Sequence, residues 1–415
     1  MAQYKGMLYL RNQLSMKRLR IQTRYKYYEM KNGVDYFRTL IPREFMYMSE
    51  VLGWCGKAVD CLGDRLCFRE FENDNFNMNT IFRMNNSDIL YDSAILGALI
   101  ASCSFVYVSP DVEGFPRLQV IDGSDATGIS DPITGLLSEG YAVISRKENK
   151  EPDIEAYFLP FATEYYRDGK LFRRDVHQSP YPLLVPIVYR PDAKRPFGHS
   201  RISRACMSIM QGALRTLLRS EVSAEFYSFP QKYITGLSND LDTDDSEGDA
   251  FDAFKATMSS FMAFTKDEDG DSPKLGQFNQ QTMTPYMDQL RTFAALFSGE
   301  TGLTLDDLGF VTDNPSSAEA IKASHESLRL TARKAQKTFG SGFLNVGYVA
   351  ACLRDNFAYK REQFYLTTPV WEPVFEPDAA MLSSIGDGVG KINQAVPGYF
   401  NESNLSVLTG IRSGN

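Results

Sequence analysis

The 415-residue sequence is poor in the residues that most enzyme mechanisms use. It has three histidines, His177, His199 and His325, each isolated in sequence, so a histidine-based acid–base mechanism has little to draw on. Its six cysteines, at 55, 61, 67, 103, 206 and 352, form no C-x-x-C pair. The even spacing of Cys55, Cys61 and Cys67 matches no zinc-ligand pattern, and the expectation is buried, reduced thiols. No apolar run approaches the roughly 18 residues of a membrane span, and the opening MAQYKGMLYL lacks the apolar core of a signal peptide. Positive charge is also in deficit: 44 Lys and Arg stand against 52 Asp and Glu, a net charge of −8. That balance argues against a protein that grips nucleic acid by wrapping it in cations, and leaves room for sparse, weak contacts.

Two motifs fail on inspection. GDGVGK invites a phosphate-loop reading, but Ile385 stands where the first glycine belongs and Ile392 where Ser or Thr should follow Lys391. The acidic runs NDLDTDDSEGD and KDEDGD invite an EF-hand reading. Counted from Asp240, the sixth position is Asp245 and the twelfth Phe251; counted from Asp267 they are Ser272 and Phe278. Neither run has the required glycine and bidentate glutamate, so both read as solvated acidic loops, and no metal or other cofactor is expected.

What is present is a globular composition, 43% hydrophobic and 13% aromatic, enough to bury a large core in about two to four subdomains. The expected class is α+β. A basic, aromatic helix spans about residues 3–30, and its tyrosines are expected to pack inward. A second runs from about Pro42 to Leu66, with Asp60 and Arg65 expected in ion pairs. A third covers 85–102. Strands follow at 105–109, 118–121, 140–146, 154–159, 163–167 and 170–174, with Asp168-Gly169 as a hairpin turn. A long helix from Gly198 to Ser228, capped by Ser200, carries Arg201, Arg204, Arg215 and Arg219 as positive patches. Another helix opens at Thr284-Pro285 and stops near Gly302. The stretch 361–375 reads as a return strand, and the tail as one or two small helices.

The most organised stretch is residues 308–355. Thr312, Asp313 and Asn314 are turn formers, and Pro315 pushes Asn314 out of helical geometry. Ser316 and Glu319 have capping-box spacing. Behind them Ile321, His325, Leu328, Ala332, Ala335 and Phe339 recur at helical spacing, and a helix over 317–353 would reach roughly 55 Å. Gly340, Gly342 and Gly347 predict a kink or break within it.

The run GFVTDNPSSAEAIKASHESL resembles the loop and tunnel helix of siphophage-type portal proteins of tailed double-stranded DNA phages. RYKYYEMK, VDCLGDRL and EFYSFPQKYITG are similar to other elements of that family, and Arg201 departs from it where glutamate is common. The resemblance implies a portal-type fold: an α/β wing (1–198), a stem helix (199–228), a small α/β clip (229–282), a second stem helix (283–302), a tunnel-loop region (303–317), a long kinked helix with the wing's return strand (318–375), and a short helical crown (376–415).

The same resemblance implies a ring of about twelve copies at one capsid vertex, in a virion assembled in host cytoplasm. It would be the channel for DNA packaging and ejection, and would partner the terminase large subunit, a head–tail adaptor, and the major capsid and scaffolding proteins, with no membrane. Val311, Thr312, Asp313, Asn314, Pro315, Ser316 and Ser317 would form the tunnel loop. Lys322, Arg329 and Lys337 would face either DNA or a neighbouring subunit. Asp240, Asp242, Asp244, Asp245, Asp267, Glu268 and Asp269 would dock partners at the clip. Two other readings stand beside this one: a minor head or adaptor protein without a channel, and a metal-dependent nuclease.

Overall fold

A computed structural model describes residues 4–34, 50–228, 232–235, 274–277, 282–310, 323–375 and 379–409. The chain is mixed α and β. Its first part contains α1 (Met7–Tyr28), α2 (Trp54–Gly63), β1 (Phe68–Glu72), α3 (Met78–Met84) and α4 (Ser87–Ala101). Strands β2 (Cys103–Pro110), β3 (Pro116–Ile121), β4 (Ala126–Ser130), β5 (Leu137–Arg146), β6 (Pro152–Leu159), β7 (Ala162–Arg167), β8 (Lys170–Val176) and β9 (Leu184–Val188) come next. Then follow α5 (Arg204–Ser228), β10 (Lys232–Thr235), β11 (Lys274–Gln277), α6 (Thr284–Thr301), α7 (Glu326–Arg354), β12 (Thr368–Trp371), α8 (Ala379–Ala395) and α9 (Glu402–Thr409). The chain divides into two units. One comprises residues 1–32, 53–207 and 297–415; the other comprises 33–52 and 208–296.

The larger unit is built on two antiparallel sheets, β3–β2–β9 and the meander β4–β5–β6–β7–β8. The first six residues of β2 are buried in succession, as a strand covered on both faces requires. Asp168 and Gly169 both take positive φ, 49° and 74°, which is what a two-residue hairpin turn demands. Helix α1 packs Leu10 and Leu14 against Tyr141, Val143 and Tyr157 of the meander. Asn86, at φ 54°, separates α3 from α4. Its neighbour Asn85 donates to the Ile81 and Pro116 carbonyls and accepts from Leu118 N–H, fixing β3 beside the break.

Several expectations need correction. Residues 51–53 are not helical, and α2 starts only at Trp54; residues 35–49, which include Pro42, lie outside the described residues. Asp60 accepts from the Tyr28 hydroxyl and Arg65 donates to the Cys61 carbonyl while lying over the Phe375 ring, and among the described residues neither forms the expected ion pair. Cys67 is exposed, whereas the other five thiols are buried. Two short strands, β1 and β4, escape the sequence pattern. Residues 361–364 form a 3-10 turn, and only β12 continues as strand, pairing antiparallel with β1.

The break expected in the long helix does not occur: α7 continues as helix through Gly340, Gly342 and Gly347. These glycines give neighbouring elements room to approach. A Cβ at Gly340 would stand 2.6 Å from Pro369 Cγ, one at Gly342 would stand 2.9 Å from Ile187 Cδ1, and one at Gly347 would overlap Met78. Burial on every side supplies the stability that helix propensity withholds.

In the smaller unit, Gly212 of α5 lets the Phe293 ring of α6 come close, and Thr216 Oγ1 bonds Gln289 Oε1 at 3.1 Å. Strands β10 and β11 pair antiparallel, Lys232 opposite Gln277.

Candidate functional site

Helix α7 changes character along its length. In its first half Leu328, Ala332, Ala335 and Phe339 are buried on one face. On the opposite face Leu330, Arg333, Lys334, Lys337 and Ser341 are exposed, the arrangement that a period of 3.6 residues produces. From Gly342 to Cys352 every residue is buried. Phe343 sits in an aromatic cluster there, with ring centroids 5.4 Å from Phe68, 4.8 Å from Tyr91 and 6.3 Å from Trp371.

Of the three sequence-predicted basic residues, Lys337 lies on the exposed face. Arg329 is held to Glu326 by two hydrogen bonds, Nε to Oε2 at 2.7 Å and Nη2 to Oε1 at 2.6 Å. Those bonds hold the Glu326 carboxyl below its usual range and raise the Arg329 guanidinium. The pair contributes little stability at an exposed site, but it neutralises the Arg329 charge. Lys322 lies outside the described residues, and so do Val311, Thr312, Asp313, Asn314, Pro315, Ser316 and Ser317. The capping pair Ser316 and Glu319 is outside them too, as are Asp240, Asp242, Asp244, Asp245, Asp267, Glu268 and Asp269.

The exposed basic face therefore consists of Arg333, Lys334 and Lys337. Arg333 and Lys334 were not among the basic residues singled out from the sequence. The usable signal was angular: a residue opposite Leu328, Ala332 and Ala335 must face outward.

Both sides of the segment 311–322 are anchored. Before it, Thr304 and Asp307 are tied together across the start of a single 3-10 turn (Asp306–Leu308): Asp307 Oδ2 accepts from Thr304 N–H and Oγ1, each at 2.9 Å, and Asp307 N–H donates to Thr304 Oγ1. Leu308 is buried, and Phe310 meets Trp54 edge-on at 6.4 Å. After it, His325 Nδ1 lies 3.9 Å from Asp307 Oδ2. Gly302, at φ 71°, abuts Ser327, whose Oγ would be 2.8 Å from a Cβ at that position. The described residues on the two sides of this segment thus meet at one place.

The base of this region is held by Arg201, a residue expected on a charged helix face and found 7% exposed. Its Nε donates to the Ala58 carbonyl at 3.1 Å and its Nη2 to the Thr301 carbonyl, at the C-terminal end of α6, where an unpaired carbonyl and the helix dipole both favour a cation. Helix α5 starts at Arg204, and its cap is Ser203, whose Oγ accepts from Cys206 N–H and donates to Glu300 Oε1 at 2.7 Å. Ser200 instead donates to the Ile100 carbonyl at 2.6 Å. Among the described residues no group of three His, Cys, Asp or Glu side chains could hold a metal, and no helix is long and apolar enough to cross a membrane.

Comparison with known proteins adds the following. The family model described as "Phage portal protein, SPP1 Gp6-like" matches residues 8–381. The portal protein of Mycobacterium phage L5 is 25% identical over 338 residues, covering 76% of this chain and 68% of that protein. The portal protein of Mycobacterium phage D29 is 23% identical over 336 residues, with the same two coverages. Among solved structures, a chain in the neck of a native gene transfer agent particle, computed with C12 symmetry, aligns at a TM-score of 0.49. It is 13% identical, with 87% of this chain and 90% of that chain covered.

Proposed function

The chain belongs to the SPP1 Gp6-like family of phage portal proteins, which are structural and not enzymatic, and from that premise we propose how its parts serve a portal. It is a virion component of the capsid vertex. Copies close into a ring, twelve in the virion, whose axial opening passes double-stranded DNA during packaging and ejection. Residues 1–198 and 318–375 are the wing, with α7 as its tunnel helix; α5 and α6 are the stem, and residues 229–282 the clip. Residues 376–415 form the crown, and residues 311–317 are the tunnel loop.

The observation that carries this assignment is the anchoring on both sides of residues 311–322, beside an α7 face that presents Arg333, Lys334 and Lys337 to solvent. Three exposed cations per copy, repeated around a ring, would give DNA a weak, sequence-independent contact through phosphates, which permits sliding. The acidic residues of the clip, Asp240, Asp242, Asp244, Asp245, Asp267, Glu268 and Asp269, would repel DNA and attract basic surfaces of the terminase large subunit and the head–tail adaptor. Contacts with the major capsid and scaffolding proteins would fall to the wing.

Images of the purified protein test the ring: closed particles with a central opening are expected. Species that never close would favour a minor head protein without a channel. A variant lacking residues 313–317 is expected to assemble yet package or retain DNA poorly, and normal packaging would remove the role given to the loop.

A further inference from the structure

Helix α1 is unusual in having two apolar faces. Leu10, Leu14 and Ile21 are buried against the larger unit, yet Leu8, Met16 and Leu19 on the other side are 73%, 62% and 72% exposed. Spacings of eight and eleven residues put these three on one helical face, with the small polar Asn12, Ser15 and Thr23 between them. The helix also contains six cations, Arg11, Lys17, Arg18, Arg20, Arg24 and Lys26, and no acidic residue, in a chain whose net charge is −8. Among the described residues only Arg11 of the six reaches a carboxylate, Glu155 at 3.5 Å. Arg20 and Lys26 are exposed beside the outer apolar face.

The same unit carries a face of opposite character. Helix α4 has two acidic residues, Asp88 and Asp92, and no cation. Both are exposed, and so are Ile89 (64%) and Leu96 (36%), which share their side of the helix; Met84 at the end of α3 is 72% exposed. Partial burial, and then the neighbouring Asp88 and Asp64, raise the Asp92 carboxyl above its usual range.

We infer that the outer face of α1, Leu8, Met16 and Leu19 flanked by Arg20 and Lys26, docks on the α4 face of a second copy, Ile89 and Leu96 flanked by Asp88 and Asp92. The inference rests on the ring reading and names the contact that closes it. A heterologous ring needs two different, complementary faces on each copy, and these two match in both apolar content and charge sign. A helix built for DNA would centre its cations, whereas here the apolar side chains are central and the cations flank them. A membrane-surface helix would carry larger apolar groups where α1 has Asn12, Ser15 and Thr23.

The test is a charge swap. R20E/K26E and D88K/D92K are each expected to lower the fraction of closed rings, read by sedimentation velocity at fixed concentration, by about tenfold or more. The melting temperature of the unassembled subunit should stay near that of the wild type. The quadruple variant, which restores opposite signs across the contact, should recover rings. Rings in both double variants at the wild-type level, or a quadruple variant no better than either double, would overturn this contact and leave the ring reading intact. A wild-type protein that never forms rings would overturn the ring reading itself, and the contact with it. Binding of wild-type rings to duplex DNA or to phosphatidylglycerol vesicles, abolished by R20E/K26E with ring formation unchanged, would overturn the contact in favour of a polyanionic partner.

Discussion

The two halves of α7 obey different rules. The first half is an ordinary amphipathic helix, with Leu328, Ala332, Ala335 and Phe339 inward and Arg333, Lys334 and Lys337 outward. The second half has no outward face, and two of its glycines, Gly342 and Gly347, together with Gly340 just before it, are where other elements press closest. In one half the side chains that matter touch solvent; in the other, the absence of side chains lets β9, β12 and α3 approach. A helix anchored at one end and exposed at the other can present a face to a moving ligand without giving up its own position.

Substitutions at buried, close-packed positions and at exposed ones should separate the two rules. Phe339→Ala should have the largest effect. Its ring is fully buried and stacks on Tyr189 at 6.1 Å, so removal should cost about 3–5 kcal/mol in urea unfolding. Gly340→Ala should come next. Helix propensity favours alanine by about 1 kcal/mol, yet the added Cβ meets the rigid Pro369 ring, and overpacking should leave a net loss of roughly 1–2 kcal/mol. A gain in stability would mean that the close approach of β12 is dispensable.

Much of this was legible in the sequence, and the failures have physical reasons. The inward stripe of α7 and the hairpin at Asp168-Gly169 follow from periodicity and turn chemistry. The three glycines were expected to kink or break the helix because propensity was weighed without the neighbours that cover them. Strand β4, ATGIS, has too little apolar alternation to stand out, and β1, FREFE, pairs with β12, some 300 residues later. Arg201 was assigned to a charged face, since nothing local reveals that backbone carbonyls of α2 and α6 converge on it. In the candidate site, the exposure of Lys337 follows from helical spacing, whereas the pairing of Arg329 with Glu326 follows from side-chain geometry that three-residue spacing permits without requiring.

Smaller effects belong to the exposed half. Replacing Arg333, Lys334 and Lys337 together by alanine should change stability by no more than about 0.5 kcal/mol per site, while DNA retention in filled heads falls. Unchanged retention would move this face from the channel to a subunit contact. Glu326→Gln should have the smallest effect, releasing Arg329 and adding a fourth cation. Acidification should do the same. The Glu326 carboxyl is depressed in the folded chain, so its pairing is complete above the ordinary carboxylate range and is lost as pH falls through the folded value. Salt titration of DNA binding by assembled rings should show a slightly steeper dependence for Glu326→Gln than for the wild type at neutral pH.

The sequence left open whether the basic face of the long helix meets DNA or a neighbouring copy, and one measurement separates the two directly. A photoreactive side chain placed at position 337 in DNA-filled heads should form adducts with DNA. The same group at Glu372, on the segment after β12, should form none. Adducts from position 337 to another copy of the chain alone, with none to DNA, would contradict the assignment of α7 to the channel wall.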